Sequence, residues 1–177
     1  MRVISGKYRG KKLQEFELST TRPTQDRVKE SIFNLIQFEV AGAVVLDLFS
    51  GTGALGIEAI SRGARKTIMV DSNPQAVKLI NQNLKSIDGD YQVIDQDYAK
   101  FLSSCQMKFD IVLLDPPFAT DFGIKAIQTI INANLLNEKA IIIFETSEEK
   151  VFDFNNPNFK LDKRKYGTVS VYKIEKL

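Results

Sequence analysis

The sequence predicts an α/β fold: a mostly parallel seven-stranded sheet with an antiparallel edge strand, helices on both faces, and a small N-terminal β-hairpin. Three observations carry this. Short apolar runs alternate with stretches of helical periodicity, the pattern of a parallel sheet buried on both faces. A glycine-rich turn follows the first of those runs. The tail reads as two strands around Gly167, joined by a short turn. A length of 177 residues suggests a single domain, 1–177.

The elements follow in order. "RVISGKYRGKKLQ" within residues 1–14 reads as a hairpin appended to the core. "TRPTQDRVKESIFNLIQF" (21–38) is helical, with Val28, Ile32 and Leu35/Ile36 at helical spacing and Pro23 in the first turn. "AVVLDLF" (43–49) is a buried strand, followed by a glycine turn and a helix over 54–62. "KTIMVD" (66–71) is the second strand. Asn73-Pro74 opens a helix with Val77, Ile80 and Leu84 on one face. "YQVID" (91–95) is the third strand, and Asp97 caps a short helix through Leu102. "FDIVLLD" (109–115) is the fourth; a helix over 121–134 precedes "AIIIFE" (140–145), the fifth. The last pair lies within "FKLDKRKYGTVSVYKI" (159–174).

Composition narrows the chemistry. The chain is 44% hydrophobic and 26% charged, ordinary for a folded protein. It has no run of 18 or more uncharged apolar residues and no leader-like apolar stretch. With Cys105 alone, no internal disulfide or cysteine-cluster metal site is expected, and the cytosol is favoured. There is no histidine. That excludes Ser–His and Cys–His nucleophiles, a histidine base and a histidine metal site. Net charge is +2, but unevenly spread: residues 1–14 hold Arg2, Lys7, Arg9, Lys11 and Lys12 and no acid. Lys7, Tyr8, Arg9, Lys11 and Lys12 suit contact with phosphates, such as those of RNA; a plain solvated terminus is the competing reading.

In such folds ligands sit beyond the carboxyl ends of the strands. That gathers Asp47–Gly53, Asp71, Asp97 and "DPPF" (115–118) along one edge. Gly51, Gly53 and Gly56 form G-x-G-x-x-G between a strand and a helix, and Asp71 ends the next strand. Together they match a nucleoside-binding fingerprint, with the acid on the ribose hydroxyls. Asp47 stands just before the loop. Its charge opposes a pyrophosphate but suits the ammonium of S-adenosylmethionine, directly or through water. Asp97 could accept the adenine amine; a plain helix cap is the competing reading. The cofactor-binding candidates are Asp47, Phe49, Ser50, Gly51, Gly53, Asp71, Ser72, Asp97 and Tyr98.

Asp115, Pro116, Pro117 and Phe118 are the catalytic candidates. Neither proline has a backbone N–H, and each constrains the residue before it. The strand therefore ends in a stiff set of oxygen acceptors, suited to an NH2 group. An exocyclic base amine is a poor nucleophile because its lone pair is delocalised. Accepting its hydrogens at the Asp115 carboxylate and Pro116 carbonyl aims that lone pair, while Phe118 offers a face for the ring. Catalysis is then mainly positioning.

"LDLFSGTGALGIEA", "VD" at 70–71, "DPPF" and, above all, "TRPTQDRVKESIFN" resemble the RsmD-type 16S rRNA guanine-N2 methyltransferases, from "ISGKYRGKKL" to "KRKYG". Arg22-Pro23-Thr24, Arg27-Val28, Glu30 and Phe33-Asn34 are the more family-specific part. The resemblance implies a Rossmann-like class I methyltransferase fold, S-adenosylmethionine as cofactor, and methylation of one guanine in small-subunit rRNA, within an assembling particle. It also implies that Arg22 and Thr24 close over the cofactor. Three alternatives stay open: an adenine-N6 DNA methyltransferase, a nicotinamide-dependent oxidoreductase, and a non-enzymatic ribosome-assembly factor. No metal or membrane partner is expected.

Overall fold

The computed structural model describes residues 1–16, 22–117, 120–146, 152 and 154–177, with the backbone alone for residues 22–25. Its elements are α1 (Arg22–Leu35), β1 (Val44–Leu48), α2 (Ala54–Ser61), β2 (Lys66–Asp71), α3 (Pro74–Leu84), β3 (Tyr91–Asp95), α4 (Tyr98–Ser104), β4 (Phe109–Leu114), α5 (Phe122–Asn132), β5 (Leu136–Thr146), β6 (Phe159–Tyr166) and β7 (Val169–Lys176). The seven strands lie in the order β3-β2-β1-β4-β5-β7-β6. The first five are parallel, and β7 pairs antiparallel with both β5 and β6.

Strand alternation sends successive side chains to opposite faces, and the core divides accordingly. Leu46, Leu48, Val112 and Leu114 meet Phe101 and Leu102 of α4 and Ile127 of α5. Val45, Ile111, Leu113 and Ile143 meet Val28, Ile32 and Phe33 of α1. Met69 packs with Ile57 of α2, Ile80 of α3, and Val3 and Leu13 of the N-terminal arm. Helices α1–α3 thus cover one face, and α4 and α5 the other.

Three expectations shift. The first helix stops at Leu35 because Ile36, Val40 and Ala43 are all buried and must lead the chain down into β1. The fifth strand starts early, at Leu136. Lys139 has φ 58 and the β4–β5 register slips between Phe109 and Ile111, so this irregular start carries no clean apolar run. The N-terminal hairpin makes one ladder bridge, Arg2↔Lys12, with backbone hydrogen bonds from the Val3, Gly10 and Leu13 amides to the Lys11, Val3 and Met1 carbonyls. Side chains fasten it to the core.

That fastening centres on Glu58 of α2, which is fully buried. Its carboxylate accepts the Ile4 and Ser5 amides at 2.8 and 3.0 Å and Arg62 Nε at 2.8 Å. Lys29 Nζ of α1 lies 3.4 Å away and donates to the Arg2 carbonyl. One acid therefore ties the arm to two helices, and its charge is balanced by two cations.

Candidate active site

The strand order reverses between β1 and β4, the topological switch point where such sheets bind ligands. Leu48 and Leu114 are register partners there, so the loops after both strands emerge side by side. They open onto a cleft of about 840 Å³.

The glycine loop forms the first wall. Gly53 adopts φ 78 at the start of α2, a conformation that costs other residues strain. Gly56 permits the helix to approach β2: a Cβ there would lie 2.7 Å from Met69 Cγ and 3.0 Å from Asp47 Oδ2. Phe49 also has positive φ, 71, although it is bulky, and its amide and that of Ser50 both donate to the Val70 carbonyl. Such strain at a strand end is held in place by its surroundings. The Phe49 ring packs 5.0 Å from Tyr98, whose ring is 5.2 Å from Phe122, giving the cleft an aromatic side.

Asp71 closes the loop from below. Its Oδ2 accepts the Gly51 amide at 2.8 Å and its Oδ1 the Asn73 amide at 2.9 Å. Each oxygen keeps a further lone pair for a ribose hydroxyl. Asp97 accepts the Ala99 and Lys100 amides on Oδ1, so the helix cap is realised while the residue still lines the cleft.

Asp47 is placed differently from a direct ligand. It is buried beneath the loop, Oδ2 accepts the Gly56 amide at 2.9 Å, and it is absent from the cleft lining. Its Oδ1 has no hydrogen-bond partner among the described residues. Burial pushes the carboxyl up to about 7, with the Asp115 and Asp71 charges adding to it. An orphaned buried anion behind a glycine loop fits a cationic ligand on the other side of that loop.

Asp115, Pro116 and Pro117 follow β4 and line the cleft as expected. Asp115 is half-buried, and burial raises its pKa. Phe118 lies outside the described residues, as do the side chains of Arg22 and Thr24. Phe49, Ser50, Gly51, Asp71, Ser72 and Tyr98 line the same cleft; Gly53 stands behind it. The nucleoside-type loop and the Asp115-Pro116-Pro117 strand end therefore share one cleft.

The basic tip of the arm lies elsewhere. Lys7 N–H donates to the Ser61 carbonyl and Tyr8 N–H to Ser61 Oγ, at the far end of α2. Since Ala54 lines the cleft and Ser61 ends α2 seven residues on, the tip sits about 10 Å along the helix from it. Tyr8 Oη accepts the Asp88 amide and Lys11 Nζ donates to the Lys85 carbonyl, so these two hold the arm down. Lys7, Arg9 and Lys12 are exposed.

Some cleft residues escaped the sequence reading. Glu145 ends the apolar stretch of β5 and could have been found by the same strand-end rule. Lys29 lies in a charged stretch of α1 that carries no sequence mark of a cleft residue. Met1, whose ammonium pairs with Glu15, reaches the cleft only because the arm folds back.

Comparison with known proteins agrees with this geometry. The family described as Conserved hypothetical protein 95 matches residues 1–175. The chain is 34% identical to Ribosomal RNA small subunit methyltransferase D of Haemophilus influenzae, covering 98% of this chain and 92% of the relative. It is 30% identical to the protein of the same name from Escherichia coli K12, over 98% of this chain and 88% of that one. The solved structure of Escherichia coli yhhF superposes with a TM-score of 0.90 at 28% identity, covering 99% and 97% of the two chains. Matches of this extent, on a Rossmann-like class I fold, set the nicotinamide alternative aside. The chain belongs to the family of the ribosomal RNA small subunit methyltransferase D proteins.

Proposed function

We propose that this protein transfers a methyl group from S-adenosylmethionine to the exocyclic N2 amine of one guanine in 16S rRNA, on the small subunit or an assembly intermediate. The observation that carries the reading is the meeting of the Gly51 loop, Asp71 and Asp115-Pro116 around one cleft at the switch point. The relatives' name supplies small-subunit rRNA.

When bound, S-adenosylmethionine supplies an electrophilic methyl on a sulfonium. Asp71 would hold its ribose hydroxyls, and the aromatic side of Phe49 and Tyr98 its adenine. Asp97 Oδ2 is available to the adenine amine. The Asp47 charge favours the cation from behind the loop. Asp115 and the Pro116 carbonyl accept the two N–H bonds of the guanine amine and turn its lone pair toward the donor site. Asp115, held above the ordinary carboxylate range by burial, is suited to take the proton the amine then sheds. The exposed Lys7, Arg9 and Lys12 contact RNA phosphates outside the cleft.

The test is methyl transfer from labelled donor to small subunits lacking the modification, with the product nucleoside identified by mass spectrometry. N2-methylguanosine is expected; N6-methyladenosine, or no product, refutes the proposal. Asp115→Asn should keep donor affinity by calorimetry and lose about 100-fold or more of turnover, the cost of misplacing a reacting group.

A further inference from the structure

A second acid stands beside Asp115. β4 and β5 are parallel neighbours with Leu114 opposite Phe144, and the next residue on each is Asp115 and Glu145. Leu113 and Ile143 face α1, while Leu114 and Phe144 face the opposite layer. Alternation therefore puts both carboxylates on the α1 side, on chains about 4.8 Å apart. Both line the cleft and both are half-buried. Burial raises each pKa, and Glu145 is raised further by the Asp115 charge. Lys29, which also lines the cleft, does not relieve them: it pairs with Glu58 and the Arg2 carbonyl. Two acids held together and partly screened from water gain from a ligand that brings two donors side by side.

Guanine has that edge. Its N1–H and N2–H2 are adjacent donors, whereas adenine sets a bare N1 lone pair beside its amine. We infer that Glu145 is a specificity-determining residue that accepts the guanine N1–H while Asp115 and Pro116 hold the N2 amine. This rests on the guanine reading above and extends it to base choice. Once Glu145 is ionised, above its raised value of about 8, an adenine turned to offer its amine to Asp115 would aim its N1 lone pair at the Glu145 carboxylate, a repulsion that rejects it, so the preference strengthens as pH rises. Asp115-Pro116 selects an amine; Glu145 selects which amine.

The test uses the full chain and small subunits rebuilt with rRNA ligated to carry either guanine or 2-aminopurine at the modified position. 2-Aminopurine keeps the C2 amine and has a bare N1. At about pH 8.5, above the raised Glu145 value of about 8, wild-type protein is expected to methylate guanine about 100-fold faster than 2-aminopurine, as sites built to pair a polar group discriminate against its loss. Glu145→Gln should cut this ratio below about 10-fold, because its amide can turn its NH2 toward a bare N1, with donor affinity unchanged by calorimetry. Glu145→Asp, which keeps the charge, should restore part of the preference. Equal wild-type rates on the two bases overturn the inference without any variant, so a misfolded variant does not shield it. An unchanged ratio in Glu145→Gln overturns it too. If wild type makes no N2-methylguanosine at all, the proposed function itself has failed, an outcome distinct from both.

Discussion

Asp47→Asn should make the protein more stable at pH 8 and not at pH 5. The Asp47 carboxyl is raised from 3.8 to about 7, chiefly by burial. An acid whose pKa is raised on folding weakens the folded state as pH rises. Below about pH 4 the group is protonated in both states and costs nothing; between pH 4 and 7 only the unfolded chain ionises readily; above pH 7 the penalty is complete. The gap corresponds to about 4 kcal/mol at pH 8. Asparagine removes that penalty and keeps an oxygen for the Gly56 amide. It also places an NH2 where Oδ1 has no partner, at a cost of about 1–3 kcal/mol. The net gain at pH 8 is about 1–3 kcal/mol. For a domain of this size that raises Tm by about 2–10 °C. At pH 5 most of the gain is absent and the unpaired amide dominates, so Tm should stay level or fall. Thermal unfolding of both proteins across pH 5–8 is the assay. A Tm shift that does not depend on pH, or a fall at pH 8, refutes the idea of a buried anion behind the loop.

Two structural predictions accompany it. Glu58→Ala removes the acceptor of the Ile4 and Ser5 amides and leaves Lys29 buried without its counter-ion, a loss of about 3–5 kcal/mol. Trypsin should then cut at Lys7 and Arg9 much faster; unchanged cleavage would mean that other contacts hold the arm. Gly56→Ala forces a methyl against Met69 and Asp47, costing about 1–3 kcal/mol and weakening donor binding, read by thermal unfolding and calorimetry. An unaltered Tm would show that Met69 simply moves aside.

The element order, the antiparallel tail and the strand-end acids were legible in the chain because each leaves a local mark. Apolar runs bury on two faces, Gly51-x-Gly53 marks a turn, and paired prolines stop a strand. The early start of β5 was not legible, since Asn137-Glu138-Lys139 breaks the apolar pattern and the register slip is absorbed by Asp110, which accepts the Val44 amide and Asn137 Nδ2. Glu58 and Lys29 look like surface residues by composition. They are buried only because the arm folds over them.

The sequence by itself determined which chemistry was available: no histidine, a strand end stripped of donors, and a glycine loop with acids at set distances. Those are properties of residue type and spacing. Only the tertiary structure decided which acids face the ligand. Asp47 and Asp115 read alike as strand-end carboxylates, yet α2 packs against β2 through Gly56 and seals Asp47 beneath the loop, while Asp115 stays on the cleft wall. Glu145, distant in sequence, joins Asp115 because β4 and β5 are neighbours in register. The tip of the basic arm, read from charge as a phosphate-contacting segment with no place assigned to it, is held at the far end of α2 by hydrogen bonds to Ser61. Burial and register are properties of the whole sheet, and no local stretch of the chain encodes them.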